Sequence, residues 1–390
     1  PSMLKAGAAS STLPDPIDAA REAARRAMER LGEARAELVV TFLSGTYRAA
    51  YAEMLRALQV TTGCGRITGG SGLGVLTQDE EIERGPGVAV LALSGAEGFH
   101  PFLLPGLEEA GEAQGQHLAE LVAPHAKGGA VAVFGDPFTF SPPNIFQAFD
   151  KSLPGVPVVG GLSSSLPMLR RTWQVQGTRA ESGAVAGLVF PSAARVTLGV
   201  AQGCRPIGRT YVITKGRGHV ITEIGGRPAA EVFHETMGEL ADEGAERVIV
   251  FVGIAIDPAK HPLERGDFLV RHIVGVEPES GSIAIAEPIR VGQSVRFQLL
   301  DTEAAREDMR ETVREVRERL DGRRPVFGLY FNCLGRGEGL FKEPHHDVHA
   351  VREALGEFPL VGFYGNGEIA PVGGRNLLHG YTGVLVVVSE

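Results

Sequence analysis

The sequence predicts an α/β (mixed α+β) protein of two related domains, with large mixed β-sheets flanked by helices. Three observations carry this. A strand, loop, helix, strand, glycine unit of about thirty residues recurs three times, a length that suits a βαβ crossover. Between the second and third units the pattern turns to short strands separated by Gly and Pro turns. Glycine supplies 52 of 390 residues, about 13%, against a usual share of roughly 7%, and sits between well-formed apolar segments.

In chain order, residues 4–14 are small and polar and read as a mobile tail. Asp15-Pro16 reads as an N-cap followed by proline at the first helical position. Ile17, Ala20, Ala24, Met28 and Leu31 keep one helical face, and Gly32 closes the helix. The first unit takes a strand at Glu37–Leu43, a helix near Tyr47–Gln59 and Ile67-Thr-Gly-Gly70. The second runs from Ala130–Phe134 through a helix near Asn144–Lys151 to Val158-Val-Gly-Gly161. The third runs from Val326–Phe331 through a helix near His346–Leu355 to Leu360-Val-Gly362. Short strands are expected at Ala184–Phe190, Val196–Ala201, Thr210–Ile213, Arg247–Ile256, Phe268–Ile273, Ser282–Ile285 and Ser294–Leu299. Asp301–Leu320 is the clearest helix, with Ala305, Met309, Val313, Val316 and Leu320 as its apolar stripe. This places a tail and helix over 1–35, a first domain over 36–226 and a second over 227–390, divided at Gly225-Gly226-Arg-Pro228.

Composition narrows the function classes. A net charge of −9 argues against a nucleic-acid or anionic-membrane surface, which needs a basic field. No apolar run approaches the roughly 18–20 residues of a membrane span. Three cysteines, Cys64, Cys204 and Cys333, make no disulfide framework, and the first residues do not read as a signal peptide. A reducing cytoplasm is the expected compartment.

Candidate chemistry gathers at glycine-rich strand exits. Phe331-Asn-Cys-Leu-Gly-Arg-Gly337 places Cys333 at the end of a strand, where α/β proteins form clefts. Arg336, between two glycines, suits a carboxylate or phosphate; a structural turn with a buried cysteine is the plainer reading. Gly362-Phe-Tyr-Gly-Asn-Gly-Glu368 is a second exit. Asn366 and Gly367 suit left-handed backbone, and Glu368 either accepts from a ligand ammonium or pairs with Arg336. His379 and Tyr381 alternate with apolar residues, as a core pair or as ligand contacts. Gly203-Cys204-Arg205-Pro206 offers a second anion contact in Arg205. Ser163 lies in a Gly/Ser turn whose N–H groups can cradle an anion; it has neither P-loop spacing nor a lysine. His345, His346 and His349 invite a metal reading that still needs a third strong ligand, so the plainer reading is a helix start. Cys333 with a nearby histidine would make a cysteine hydrolase, if a base lies in reach and the thiol pKa is lowered.

Taken together, Gln202-Gly-Cys-Arg-Pro-Ile-Gly208, Phe331-Asn-Cys-Leu-Gly-Arg-Gly337, Gly362-Phe-Tyr-Gly-Asn-Gly-Glu-Ile369 and Leu378-His-Gly-Tyr-Thr382 resemble the FIST family, from about residue 36 onward. The resemblance implies N- and C-terminal FIST domains and a sensory module that binds small ligands, with amino acids first among them. No F-box, kinase or cyclase segment is recognisable, so a stand-alone type is expected. One departure is Gly70, where the family often carries a cysteine. The joint expectation is an intracellular sensor of an amino acid or other small carboxylate. Its ligand contacts would come from Arg336, Cys333, Glu368, Asn366, His379, Tyr381, Arg205, Cys204 and Ser163. No cofactor or metal is expected. A cysteine-dependent enzyme using Cys333 and a ligand-free interaction scaffold are the alternatives. A signalling partner protein is implied without being identified, and a homo-oligomer is compatible with each reading.

Overall fold

A computed structural model describes residues 3–106, 111–140, 144–242 and 249–390. The chain divides into two compact units. Unit 1 joins residues 1–201 to 309–390, and unit 2 spans 202–308. The α/β expectation of large mixed sheets flanked by helices holds.

Unit 1 opens with β1 (Lys5–Ser11), α1 (Pro16–Leu31), β2 (Leu38–Ser44), a 3-10 segment (Gly45–Ala50), α2 (Tyr51–Thr62), β3 (Ile67–Gly72), β4 (Val75–Thr77), β5 (Glu81–Ile82) and β6 (Val88–Ser94). It continues with β7 (His100–Leu104), α3 (Gly111–Ala126), β8 (Ala130–Gly135), α4 (Asn144–Ser152), β9 (Val158–Leu162), β10 (Gln174–Gln176), β11 (Arg179–Glu181), β12 (Val185–Phe190) and β13 (Arg195–Ala201). Unit 2 supplies β14 (Arg205–Pro206), β15 (Tyr211–Arg217), β16 (Val220–Ile224), β17 (Arg227–Pro228), α5 (Ala229–Asp242), β18 (Ile249–Ala255), β19 (Phe268–Glu277), β20 (Ser282–Ile285) and β21 (Ser294–Leu300). The chain returns to unit 1 within α6 (Thr302–Leu320). It finishes with β22 (Pro325–Cys333), α7 (Glu338–Phe341), α8 (His346–Leu355), β23 (Leu360–Gly365), β24 (Glu368–Val372), β25 (Arg375–His379) and β26 (Gly383–Ser389).

Unit 1 holds three copies of one plan. In each, a parallel strand pair is crossed over by a helix: β2 with β3, β8 with β9, β22 with β23. An antiparallel strand flanks the first member of each pair, and a further one lies outside it, giving β1-β6-β2-β3, β7-β12-β8-β9 and β13-β26-β22-β23. The hairpin that follows each pair leaves its own sheet. Hairpin β4–β5 extends the third sheet, β10–β11 the first and β24–β25 the second, so the three sheets are tied in a ring.

The glycine in each repeated unit has one job. Gly69, Gly160 and Gly362 lie opposite Thr41, Val133 and Tyr330 in the same register. A Cβ on them would stand 1.7, 2.0 and 1.7 Å from the facing carbonyl oxygen. Only a residue without a side chain permits that approach. The next residues of the first strands, Phe42, Phe134 and Phe331, point into one shared core. Their ring centroids lie 5.1, 6.4 and 5.9 Å apart. Such aromatic contacts add to a large apolar burial.

Most expected elements stand near their expected bounds. Asp15 Oδ1 accepts from the Asp18 N–H at 2.8 Å, and Gly32 closes α1 at φ 71°. Asp301 Oδ1 accepts from the Ala304 N–H at 2.7 Å to cap α6. The helix expected from Tyr47 begins as 3-10 backbone and becomes α-helical at Tyr51. Of the strand expected at 247–256, residues 249–255 form β18, while 247 and 248 lie outside the described residues. The tail expected at 4–14 is instead the buried strand β1. Its small residues permit close packing: a Cβ on Gly7 would stand 2.2 Å from the Ala27 carbonyl of α1.

Unit 2 is a closed antiparallel barrel of β21-β15-β16-β20-β19-β18, shut by the pairing of β18 with β21. Ile221, Ile224, Val252, Ile283, Val295 and Phe297 line a small apolar pocket there. Among the described residues no helix is long and apolar enough to cross a membrane.

Gly160→Ala forces a methyl group against the Val133 carbonyl at φ 138°. Overpacking of this kind costs about 1–3 kcal/mol, and strained backbone adds to it. Urea unfolding of the variant is expected to show at least that loss. Wild-type stability would contradict the close approach.

Candidate functional site

The strand exits of the third copy form a buried polar cluster in unit 1. β22 ends in Asn332 and Cys333, and the turn Leu334–Gly337 follows. Gly335 is required there because the Tyr381 ring lies on it, so that a Cβ would meet the ring at 2.4 Å. The turn folds Arg336 inward until 2% of the residue is exposed. Its guanidinium grips Asp347 in the first turn of α8, with Nε to Oδ2 at 3.1 Å, Nη2 to Oδ1 at 3.1 Å and Nη2 to Oδ2 at 2.9 Å. Its plane also lies over Phe341, with Cζ 5.2 Å from the ring centroid. Tyr330 Oη and Asn332 Nδ2 donate to Asp347 Oδ2 at 2.8 and 3.1 Å. His346 Nδ1 lies 2.9 Å from Oδ1. Burial pushes the Asp347 carboxyl up, but Arg336 and these donors outweigh it and hold the pKa at about 2.

The hairpin β4–β5 closes the cluster from the first copy. The Glu81 N–H donates to His345 Nδ1 at 2.8 Å, and Glu81 Oε1 accepts from the Val348 N–H at 3.3 Å. Glu83 Oε1 accepts from the Glu338 N–H at 2.7 Å. Glu81 Oε2 and Tyr364 Oη are buried with no hydrogen-bond partner. Burial, then the charges of Asp347 and Glu83, raise the Glu81 pKa well above its usual value. Burial and Glu81 do the same for Tyr364.

Glu368 opens β24, fully buried. Oε2 accepts from the Thr382 N–H at 3.2 Å, and Oε1 accepts no hydrogen bond of normal geometry. Burial raises its pKa, and the Cys333 thiol lies beside it. The arrangement is consistent as electrostatics. One guanidinium is matched by one carboxylate, and further buried charge is costly, so burial disfavours the charged forms of Glu81 and Glu368.

Several expectations change. Arg336 does not reach into an open cleft and does not pair with Glu368, because Asp347 takes its fork. Glycines on both sides let the chain turn that far inward. Asn366 has no left-handed backbone, whereas Gly367 does, at φ 139°. Asn366 Nδ2 donates to the Ser163 carbonyl at 3.2 Å, and Ser163 is wholly buried, its N–H donating to the Gly135 carbonyl at 2.7 Å. Both therefore tie strand exits to one another. His379 faces Glu368 across β24–β25, with Nε2 3.0 Å from the Ala370 carbonyl. Tyr381 sits in the following turn at φ 55°. Cys204 and Arg205 belong to unit 2, where Cys204 is buried and Arg205 is exposed on β14. Gly203 N–H donates there to Asp308 Oδ2 at 2.6 Å. Among the described residues no group of three His, Cys, Asp or Glu is placed to hold a metal ion.

The reactive-thiol reading is weakened. Burial first, and then Glu368, pushes the Cys333 thiol up to about 12. A catalytic thiol needs the opposite shift.

Asp347, Tyr330 and Asn332 were not singled out by sequence reasoning, although Asp347 lies in the His345–His349 string. Glu81 is 264 and 267 residues from its partners His345 and Val348, too far for any local signal.

A triplicated mixed-sheet unit with a buried charge cluster at its strand ends, joined to a small β-barrel, defines the class. The chain matches the FIST N domain over residues 37–227 and the FIST C domain over 229–371, and it belongs to the FIST family. FIST domains are sensory and signal-transduction domains. An uncharacterized protein of Mycobacterium tuberculosis is 34% identical over 399 residues, covering 99% of this chain and 100% of its own. Another, from Mycobacterium bovis, is 32% identical over 401 residues, covering 99% of each. A crystal structure of a cyanuric acid hydrolase from A. caulinodans aligns with 48% of this chain and 71% of its own at 11% identity. Its TM-score of 0.27 is too low to place the two in one fold. Glu81 lies in the FIST N match and Arg336 and Asp347 in the FIST C match, so the cluster is completed by both domains.

Two measurements check this electrostatic picture. A carboxyl whose folded pKa is raised favours the folded state below its unfolded value of 4.5, and this contribution is lost as pH rises toward the folded pKa. Glu81→Gln removes that loss. Its Tm relative to wild type should therefore climb from pH 5 to pH 8, and a falling difference would show an ionised, stabilising Glu81. For Cys333, the alkylation rate followed by mass spectrometry should keep rising beyond pH 9. A plateau with an apparent pKa near 8.5 would mark an unperturbed thiol.

Proposed function

We propose that this protein is a sensory protein that binds a small carboxylate-bearing ligand, an amino acid first among them, at the strand exits around Arg336 and Glu368. The observation that carries the reading is Glu368 Oε1, a fully buried carboxyl oxygen that accepts no hydrogen bond of normal geometry, with the Cys333 thiol and the Gly367 N–H near the carboxyl, at the same strand ends as a buried guanidinium. Unmet buried polar atoms are costly, and folds retain few of them without a reason. A ligand ammonium would donate to Glu368 and its charge would favour the carboxylate, the displaced proton passing to water, while the ligand carboxylate suits a guanidinium fork. The sensory role of FIST domains supports the same reading, with the signal passing to a partner protein. The raised Cys333 pKa sets the cysteine-enzyme alternative below it.

A thermal-shift screen of the purified chain against amino acids and small carboxylates at millimolar concentration tests it. A ligand at about 100 times its Kd adds roughly 2.7 kcal/mol to the folded state, a rise of a few degrees. Glu368→Gln keeps the shape and removes the charge. It should weaken an amino acid by about ten-fold or more and leave its des-amino analogue unchanged. A flat screen, or equal loss of both ligands, would overturn the assignment.

A further inference from the structure

The donors around Asp347 come from one element and the carboxylate from another. Its Oδ2 receives four hydrogen bonds from three residues: Tyr330 Oη, Asn332 Nδ2, and Arg336 through both Nε and Nη2. All three donors stand on β22 or the turn after it, on one rigid support. Phe341 holds the Arg336 plane from one side, and the Asn332 side chain is fixed by the Cys333 N–H donating to its Oδ1 at 2.9 Å. The acceptor comes from a different element, α8. That helix is ten residues long and enters through His345 at φ 57°, a left-handed backbone that a non-glycine residue adopts at some cost. The donors are thus preorganised, and the carboxylate is delivered to them by a short helix with a strained entry.

We propose that Tyr330, Asn332 and Arg336 form a carboxylate receptor, and that Asp347 fills it as an internal plug which an external small carboxylate replaces when the first turn of α8 moves out. This deepens the sensor reading and rests on it: the plug makes the ligand-free state closed, and its release is the conformational signal. A charge-neutral exchange is required. Arg336 keeps one carboxylate throughout, and Asp347 gains water as it leaves. His346, which stacks on Phe341 with centroids 3.7 Å apart, would leave with it. Glu81 would lose the Val348 N–H that now donates to it.

Asp347→Ala deletes the plug and leaves the receptor. Formate, the size of the deleted group, is the probe, with chloride at matched ionic strength as control. The variant should melt below wild type in chloride and rise by a few degrees, saturably, in formate, while wild type responds equally to both salts. Identical behaviour in formate and chloride, including failure to fold in either, would overturn the receptor. Hydrogen exchange of the wild-type chain tests the plug. Amides of His349–Leu355 should exchange through a local opening well below the global unfolding free energy. Protection equal to that of β22 would mean the plug does not leave, and the proposal would fall. The two readings can fail separately. An amino acid that shifts wild type while Asp347→Ala ignores formate leaves the sensor and removes this site. A flat amino-acid screen with saturable formate binding does the reverse.

Discussion

The close approach of one glycine to one facing carbonyl, made three times, sets the spacing on which unit 1 depends. Gly69, Gly160 and Gly362 each leave no room for a Cβ beside the neighbouring strand. That contact fixes which residues of the parallel pair stand level. The register in turn sends Phe42, Phe134 and Phe331 to one meeting point, because side chains alternate strictly along a strand. Phe363, which has no aromatic counterpart in the other copies, fills space beside Gly161, where a Cβ would meet its ring at 3.1 Å. The core is therefore threefold in plan and unequal in filling.

The exchange of hairpins has a chemical consequence. Each β-hairpin completes a sheet that is not its own, so each corner of unit 1 combines residues from two copies. At the third corner this brings Glu81 and Glu83 from early in the chain against α7 and α8 from near its end. The FIST C match holds Arg336, Asp347 and Glu368, and the FIST N match adds Glu81 and Glu83. The electrostatics of this corner follow from burial: Arg336 and Asp347 neutralise one another, and burial disfavours the charged forms of Glu81 and Glu368. The other corners use neutral or locally satisfied groups. At the exit of β8, Asp136 accepts from Thr139 and Thr172 hydroxyls at 2.7 and 2.6 Å. The copies thus share a backbone plan and differ in chemistry, as expected where a scaffold repeats and function is placed on one of its ends.

Some of this was legible in the residues. The three strand, helix, strand, glycine units show because buried parallel strands read as continuous aliphatic runs and crossover helices as periodic ones. Helix α1 shows because Asp15, Pro16 and Gly32 are local end signals. Arg336, Cys333 and Glu368 stand out because glycines surround them at strand ends. What was not legible has a common cause. Strand β1 reads as a tail because Lys5–Ser11 is made of small residues with little strand preference, and only packing against the alanine face of α1 makes that composition sensible. Short hairpins such as β4–β5 carry too few residues to declare a partner. Asp347 sits in a histidine-rich helix start that draws attention to metals instead.

The class of fold, the repeated unit, the family and the strand exits where polar residues collect can be read from the residues in order. These follow from local periodicity, turn chemistry and motif spacing, all short-range properties. The tertiary structure alone decided that the copies number three within one unit, that the hairpins are exchanged between sheets, and that Arg336 is held by Asp347 rather than Glu368. Those outcomes depend on burial and on which donors and acceptors meet across about 10 to 270 positions. A buried charge takes the partner that the fold brings to it, because the cost of leaving it unmatched exceeds any preference readable along the chain.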